Sequence, residues 1–461
     1  MYIVSILEKP YKYKNNTQIM KKWILFLIGV WLSTNAIAQV PISLQNYFQQ
    51  IIDNSIVVPG VKGISACVIM PDNSVWTGHA GDNGSGVSIT DTTVFYGGST
   101  TKTFVATRIL QLWQDGLINL DTAYVAYIDT IDFVLPQTTI RQLLNHTSGV
   151  YDIDNSPSFF TDLISNPSHF YTPSELFQTY LNQTHNFAPG TNYEYSNSNY
   201  NILGTIIEAI TGNSLSVELR NNVFSAIPLN HTYLGAYEPF SEPFGGLWMY
   251  MDTTLTDLTS FPHTSLLTSS YAAGNIVSIP LDEARFIRKL INGNILSPGA
   301  WNQMKTMNPF SGDYGLGIMG IPLGTDTMLY GHNGAIGNLT DMFHSPELNL
   351  TVVVMQNSEN GNETPFNNLF LTAFNYIMTS GMENLLSTSG SIYPNPASGI
   401  VSIEMPNQTA IEISNIQGQL LKTYGVEGDK NSIDISDFAS GIYTIRVSTL
   451  NGIITMKLIK E

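Results

Sequence analysis

The chain has 461 residues, more than one ordinary domain holds, and 43% of them are hydrophobic, so at least two globular units are predicted, one large enough to bury a substantial core. Only 12% are charged and the net charge is −17; the remaining polar surface must come from Asn, Ser and Thr, and no stretch concentrates the Lys and Arg that a nucleic-acid partner needs. The single Cys67 excludes an intramolecular disulfide, and none of the eight His has another three or four residues away, so neither a metal site nor a cofactor is predicted.

Residues 20–39, "MKKWILFLIGVWLSTNAIAQ", carry two lysines, a short apolar run from Trp23 to Leu32 and a small-residue ending at Ala36-Ile37-Ala38. This predicts a signal peptide over residues 20–38, because the run is too short to span a bilayer. Such signals begin at the initiator, so Met20 reads as the start and residues 1–19 as a non-native upstream extension. Loss of residues 1–38, with five Lys and one Glu, takes the net charge to −21. No long apolar run follows, and a mature chain without a stable membrane span is expected.

Residues 60–80 read as two strands around a turn at Pro71-Asp72-Asn73, with "ISACVIM" placing Cys67 in a buried strand. A helix is predicted from about Ser99 to Asp115, with Phe104, Val105, Ile109, Leu112 and Trp113 on one face and Gly116 at its end. A second should run from Ser198 to Thr211, stopped by Gly212. A third, "PLDEARFIRKLING", starts near Pro280 with acids in its first turn and bases in its last. A short fourth opens at Ser297-Pro298. Late strands are expected at 313–321, 327–332, 339–344 and 349–356. Strands at both ends with helices between them predict an α/β (α+β) domain over residues 40–380, its sheet drawn from distant parts of the chain. Residues 381–391 read as a linker. Residues 392–461 carry short alternating runs separated by turns, the pattern of a small all-β sandwich.

"FYGGSTTKTFVA" places Ser99 and Lys102 three residues apart where the first helix begins, so both side chains share one face. A Ser hydroxyl needs a base within hydrogen-bond reach to act as a nucleophile. A desolvated Lys102 can supply a neutral amine, and a Ser at a helix start has its N–H in the positive end of the dipole. Ser also caps helices and Lys decorates them, so the pair alone is weak; here only Ser99 has Lys three residues on. Two further stretches add chemistry. "NYEYSNSNY" holds Tyr195-Ser196-Asn197, a phenol that can relay a proton and an amide that can hold a carbonyl and Lys102. The Y-x-N pattern recurs, for example at Tyr13 and Tyr393, so position must choose. "GHNGAIGN" puts His332 ahead of Gly334, where a backbone could approach a substrate closely.

Ser99, Tyr195 and His332, in that order, resemble the S-x-x-K, Y-x-N and K-T-G or H-x-G motifs of the serine β-lactamase and penicillin-binding protein superfamily, in the branch of class C β-lactamases, D-alanyl-D-alanine carboxypeptidases and related esterases. The resemblance covers nearly all of residues 40–375, including "PGVKGISACVI", "LLNHTSGVYD" and "YGLGIM". It implies a β-lactamase/transpeptidase-like fold, an antiparallel sheet flanked by helices plus an all-helical region. It implies that Ser99 forms an acyl-enzyme on an amide or ester, a D-amino-acid peptide, a β-lactam or a carboxylic ester. Lys102 and Tyr195 would share the base and acid roles, with the first proton acceptor left open. Asn197 would contact the acyl amide, the backbone N–H groups of Ser99 and Ala335 would form the oxyanion hole, and His332, Asn333 and Gly334 would meet the far side of the substrate. His at 332 departs from the charged Lys of most β-lactamases and shifts the expectation toward D-peptidases and esterases. The resemblance makes His146 a structural loop residue.

The tail, with Tyr393-Pro394-Asn395-Pro396, Gly441-Ile442-Tyr443 and a basic last strand, resembles the C-terminal sorting domain of proteins exported by the type IX secretion system of Bacteroidota. That implies secretion machinery as a partner and a secreted or outer-surface product reached through the periplasm; such tails are usually cleaved. An adhesive or sugar-binding module is the competing reading of the tail, disfavoured by its few aromatics. For the whole chain the competing reading is a non-catalytic binding or adhesion protein that keeps the fold; the filled motif positions favour a hydrolase acting on a small-molecule or peptide substrate.

Overall fold

The computed structural model describes residues 39–57, 60–251, 253–293, 295–324, 327–380, 391–405, 408–415, 420–426, 428–449 and 452–461. The signal peptide and upstream extension expected over residues 1–38, and residues 381–390 of the expected linker, lie outside the described residues.

Helix α1 (Ile42–Ser55) buries Leu44, Phe48 and Ile52, which recur at helical spacing on one face. Strands β1 (Gly63–Ile69) and β2 (Val75–Gly81) form the expected antiparallel pair, with Asn73 at φ +64° in the turn between them. Strand β3 (Phe95–Gly98) delivers the chain to helix α2 (Thr101–Gln114). Two expectations for this helix are corrected. It starts after Ser99, which lies in a turn closed by the Lys102 N–H donating to the Ser99 carbonyl at 3.0 Å. It also buries every residue from Thr101 to Leu110 rather than one face, because aromatic side chains from two other helical segments cover it: Phe104 stacks on Phe286 at 3.6 Å and meets Phe224 edge-on at 5.8 Å.

Helix α3 (Asn197–Thr211) ends at Gly212 as expected, and with short helices at Ile140–Leu144, Phe159–Ser165, Pro173–Tyr180 and Leu215–Leu219 it forms the helical region. Strand β4 (Tyr233–Leu234), the ribbon β5 (Trp248–Met251) and β6 (Thr254–Asp257), helix α4 (Thr264–Gly274) and strand β7 (Ile276–Ser278) lead to helix α5 (Pro280–Ile291). A short helix follows at Pro298–Met304, its first turn capped by Ser297. Strands β8 (Met319–Pro322), β9 (Met328–Ala335), β10 (Leu339–Ser345) and β11 (Leu350–Gln356) precede helix α6 (Thr364–Ser380). The strand expected at 313–321 is thus mostly loop: Gly317, at φ +73°, turns the chain so that its carbonyl accepts from Thr103 Oγ1 on α2 at 2.8 Å.

β2-β1-β11-β10-β9-β8 form one antiparallel sheet, so the two early strands join the late ones through β1 and β11. Alternation sorts their side chains. Ile64, Ala66, Val68, Val352 and Val354 meet α1 and α6 on one face, whereas Cys67, Ile69, Val353 and Met355 join the core of α2, α3 and α5 on the other. A strand covered on both faces reads as a continuous apolar run, and all seven residues of β1 are buried. β3 pairs with β7 beside this sheet.

In the tail, strands Ser391–Tyr393, Ile400–Glu404 and Lys430–Asp434 form one sheet and Gln408–Asn415, Leu420–Tyr424, Gly441–Thr449 and Gly452–Lys460 a second. Val401, Ile403 and Ile433 from the first share a core with Ile411, Ile413, Ile445, Val447 and Leu458 from the second, the sandwich that the alternating runs predict.

Candidate active site

The end of β3 and the start of α2 set Ser99 and Lys102. Thr101 Oγ1 donates to the Gly98 carbonyl at 2.6 Å and accepts from the Ile276 N–H at 2.8 Å, which ties the turn to β7. Lys102, wholly buried, directs its Nζ to three oxygens: Ser99 Oγ at 3.1 Å, Asn197 Oδ1 at 2.7 Å and the Ala273 carbonyl at 2.8 Å. Two of these are acceptors only, so a neutral amine spends both N–H groups on Asn197 and Ala273 and turns its lone pair to the Ser99 hydroxyl. Burial pulls the Lys102 pKa down to about 7 against the opposing pull of Asp152 and Asp154.

Tyr195 and Asn197 straddle the N-terminus of α3. The Tyr195 ring lies 4.7 Å from Lys102 Nζ, and its hydroxyl is buried without a hydrogen-bond partner among the described residues. Burial raises the Tyr195 pKa; the neighbouring Ser99 hydroxyl acts the other way, more weakly. The phenol therefore keeps its proton at neutral pH. Asn197 donates from Nδ2 to Asp154 Oδ2 at 2.8 Å, which orients the amide oxygen toward Lys102. The loop from His146 to Asp154 is buckled onto α3: Ser148 Oγ donates to Asn199 Oδ1 at 2.6 Å, and Ser198 Oγ donates to the Tyr151 carbonyl at 2.8 Å. His146, a structural residue by resemblance, does hold this loop, and its ring also lies 4.2 Å from that of Tyr195.

β9 brings the third stretch against β3. A Cβ on Gly334 would sit 1.9 Å from the Gly97 carbonyl oxygen and 2.9 Å from the Ser99 nitrogen, and one on Gly98 would sit 2.8 Å from the Ala335 nitrogen. Only glycines allow this approach, which brings the backbone at Ser99 and Ala335 together. His332 is 2% exposed and both its ring nitrogens are engaged: Nδ1–H donates to the Asn333 carbonyl, and Nε2 accepts from the Tyr314 hydroxyl at 2.9 Å. Burial and the Lys102 charge lower its pKa to about 3, so it is a neutral wall of the site. Tyr314 escaped the reading of the sequence, although it stands in the "YGLGIM" segment that carries the resemblance.

Two cavities meet at Ser99 and Ala335. One, of about 140 Å³, is lined by Asn197, Asp154, Phe159, Phe160 and Leu266 among others. The second, of about 350 Å³, is lined by Tyr195, Tyr314, His332, Asn333, Gly334 and Asp341 among others. Carboxylates line both (Asp154 and Glu359; Asp341 and Glu363), and no Lys or Arg among the described residues lines either. Among the described residues no three His, Cys, Asp or Glu side chains are grouped to hold a metal ion.

The structure of the Streptomyces D-stereospecific amidohydrolase is similar, with 27% identity and a TM-score of 0.63 over 72% of this chain and 98% of that one. So is that of the D-amino acid amidase of Ochrobactrum anthropi, with 26% identity and a TM-score of 0.63 over 72% and 99%. Penicillin-binding protein 4 of Amycolatopsis lactamdurans is 26% identical over 47% of this chain and 55% of its own. The chain spans about half or less of the length of the curated relatives it matches, 54% for the Bacillus subtilis one and between 29% and 54% for those of Staphylococcus aureus. Residues 391–461 match the secretion system C-terminal sorting domain, which marks the chain for delivery by secretion machinery to the outer surface or beyond. Residues 48–373 match the Beta-lactamase family model, and the chain belongs to that family.

Proposed function

We propose that this chain is an exported serine hydrolase that opens an amide or ester through an acyl-enzyme on Ser99. The observation that carries the reading is the Lys102 amine, buried 3.1 Å from Ser99 Oγ with its other hydrogen bonds committed to Asn197 and Ala273. Lys102, with its pKa near 7, takes the Ser99 proton as Oγ bonds to the carbonyl carbon, and the Ser99 and Ala335 N–H groups hold the oxyanion. Tyr195, protonated, passes its proton to the departing nitrogen or oxygen as its bond to carbon breaks and regains one from the Lys102 ammonium beside it, so the Ser99 proton ends on the departing group and Lys102 is neutral again. Water then returns the acid product and free Ser99.

D-amino-acid amides and peptides are the favoured substrate class. The two solved relatives named for such activity are 26–27% identical over nearly their whole length. The Phe159, Phe160 and Leu266 wall accepts an apolar acyl side chain, with Asp154 beside it for an amine. The missing cation disfavours substrates that need their carboxylate bound, penicillins included. Incubation of the protein with D-phenylalanine amide, a p-nitrophenyl ester and a penicillin, followed by product assay and intact mass, tests this. Turnover or a Ser99 adduct that disappears in Ser99→Ala supports it; no adduct and no turnover, with the variant indistinguishable, returns the chain to the non-catalytic binding reading.

A further inference from the structure

We infer that the cavity on the departing side of Ser99 is a subsite for a positively charged group, so that the released half of the substrate carries an ammonium. The inference deepens the reading above and rests on it only for which half of the substrate enters this cavity. Asp341 carries it. This residue is 6% exposed, stands opposite Asn333 in the β9–β10 pair, and lines the same cavity as Ser99, Tyr195 and His332. Among the described residues its carboxylate has neither a hydrogen bond nor an ion pair; burial and the neighbouring Glu363 raise its pKa to about 7. Its oxygens open onto the cavity and not onto a protein donor among the described residues, so near neutral pH the acid either keeps its proton or ionises against a cation that enters there. Glu363, exposed, lines the same cavity and adds a second carboxylate.

No other group there compensates them. No Lys or Arg among the described residues lines the cavity, and His332 is neutral with both nitrogens engaged. Asn333, Thr340, Tyr193 and Tyr314 supply only neutral dipoles. A departing half that ends in a carboxylate meets two acids; an amine meets two counterions and leaves the apolar Met319 and Leu339 to cover its stem.

Amides of phenylacetic acid with 1,2-diaminoethane, propylamine and glycine are close in size and differ in the charge of the departing half. Calorimetric titration into Ser99→Ala protein is expected to give the aminoethyl amide ~10-fold tighter than the propyl amide, and the glycine amide ~10-fold weaker. Asp341→Asn in that background should cut the aminoethyl-over-propyl ratio to about threefold or less, and Glu363→Gln, at an exposed position, should lower it without endangering the fold. Equal affinity for the three amides, tighter binding of the glycine amide, or a preference that survives both substitutions overturns the inference. Wild-type turnover is scored separately: binding with this preference but hydrolysis of no amide or ester removes the hydrolase reading and leaves the ammonium subsite standing.

Discussion

The imidazole of His146 lies against the phenol of Tyr195, with ring centres 4.2 Å apart and a tilt of 33°. Its Nδ1 accepts from the Ser196 N–H at 3.2 Å and from Asn199 Nδ2 at 3.1 Å, so the ring proton sits on Nε2. Burial and Lys102 hold its pKa well below 6.5, and the neutral ring is a positioning plate for Tyr195. His146→Ala, which leaves two buried donors without an acceptor, should cost about 1–3 kcal/mol in urea denaturation. It should also lower kcat ~10-fold or more with KM little changed, by analogy with other orienting contacts. His146→Asn, tolerated at the φ of +59° found there, should recover stability but not kcat. Wild-type kcat in a destabilised His146→Ala protein would reduce His146 to a fold residue.

Lys102 predicts the rate profile. With a pKa near 7, its amine fraction should raise kcat/KM for an uncharged ester ~10-fold between pH 6 and pH 8, then level off. Folding feels the same group: the native chain releases this proton near pH 7 and the unfolded chain only near 10.5, so the Lys102 contribution makes stability rise with pH across that window. Lys102→Arg, always charged, should lose ~10³-fold or more of kcat. A flat profile between pH 6 and 8 would falsify the assignment of Lys102 as base.

Glu283 titrates in the opposite sense. It is wholly buried on α5, accepts from Thr100 Oγ1 at 2.9 Å, and burial lifts its pKa from 4.5 to about 8. Between those values the folded chain holds a proton that the unfolded chain has lost, so stability should fall as pH rises. Against Glu283→Gln, the wild type should lose up to about 1.4 kcal/mol more per pH unit between pH 5 and 8. Parallel stability curves for the two proteins would refute the buried, protonated acid.

Gly334→Ala tests the approach of β9 to β3. Its methyl would fall 1.9 Å from the Gly97 oxygen, so the two backbones must separate and the hole at Ser99 and Ala335 must open. A loss of ~10²-fold or more in kcat, with far-ultraviolet circular dichroism unchanged, is expected. Activity within a few-fold of wild type would place the oxyanion donors elsewhere.

His332→Lys puts a cation where the cavity has none. The kcat/KM ratio for a carboxylate-bearing substrate over its neutral analogue should rise ~10-fold, and the Lys102 limb of the pH profile should move to lower pH as two ammonium groups repel. An unchanged ratio would show that position 332 does not face the substrate charge.

Local pattern made the elements legible wherever one face or one period dominated: the β1–β2 hairpin, α3 up to Gly212, α5, and the alternating strands of the tail. At α2 it found the helix but not its burial, because a helix covered on several sides has no single face to read, and it failed at residues 313–318, where apolar content reflects a loop pressed onto that helix. The motifs named Ser99, Lys102, Tyr195, Asn197 and His332, but only in company. Tyr180-Leu181-Asn182 also fits Y-x-N, and its phenol is spent on Asp162 and Tyr171, 3.1 and 3.2 Å away.

The sequence by itself determined the family and the C-terminal sorting domain, because Ser99-Lys102, Tyr195-Asn197 and His332-Gly334 are short local patterns whose order along the chain is legible without coordinates. Tertiary structure alone decided the state of those groups. Desolvation that brings Lys102 toward neutrality, the orphaned Tyr195 hydroxyl, the engaged nitrogens of His332 and the unpaired Asp341 all arise from side chains far apart in the chain meeting out of water, and charge and protonation follow from that burial rather than from residue identity.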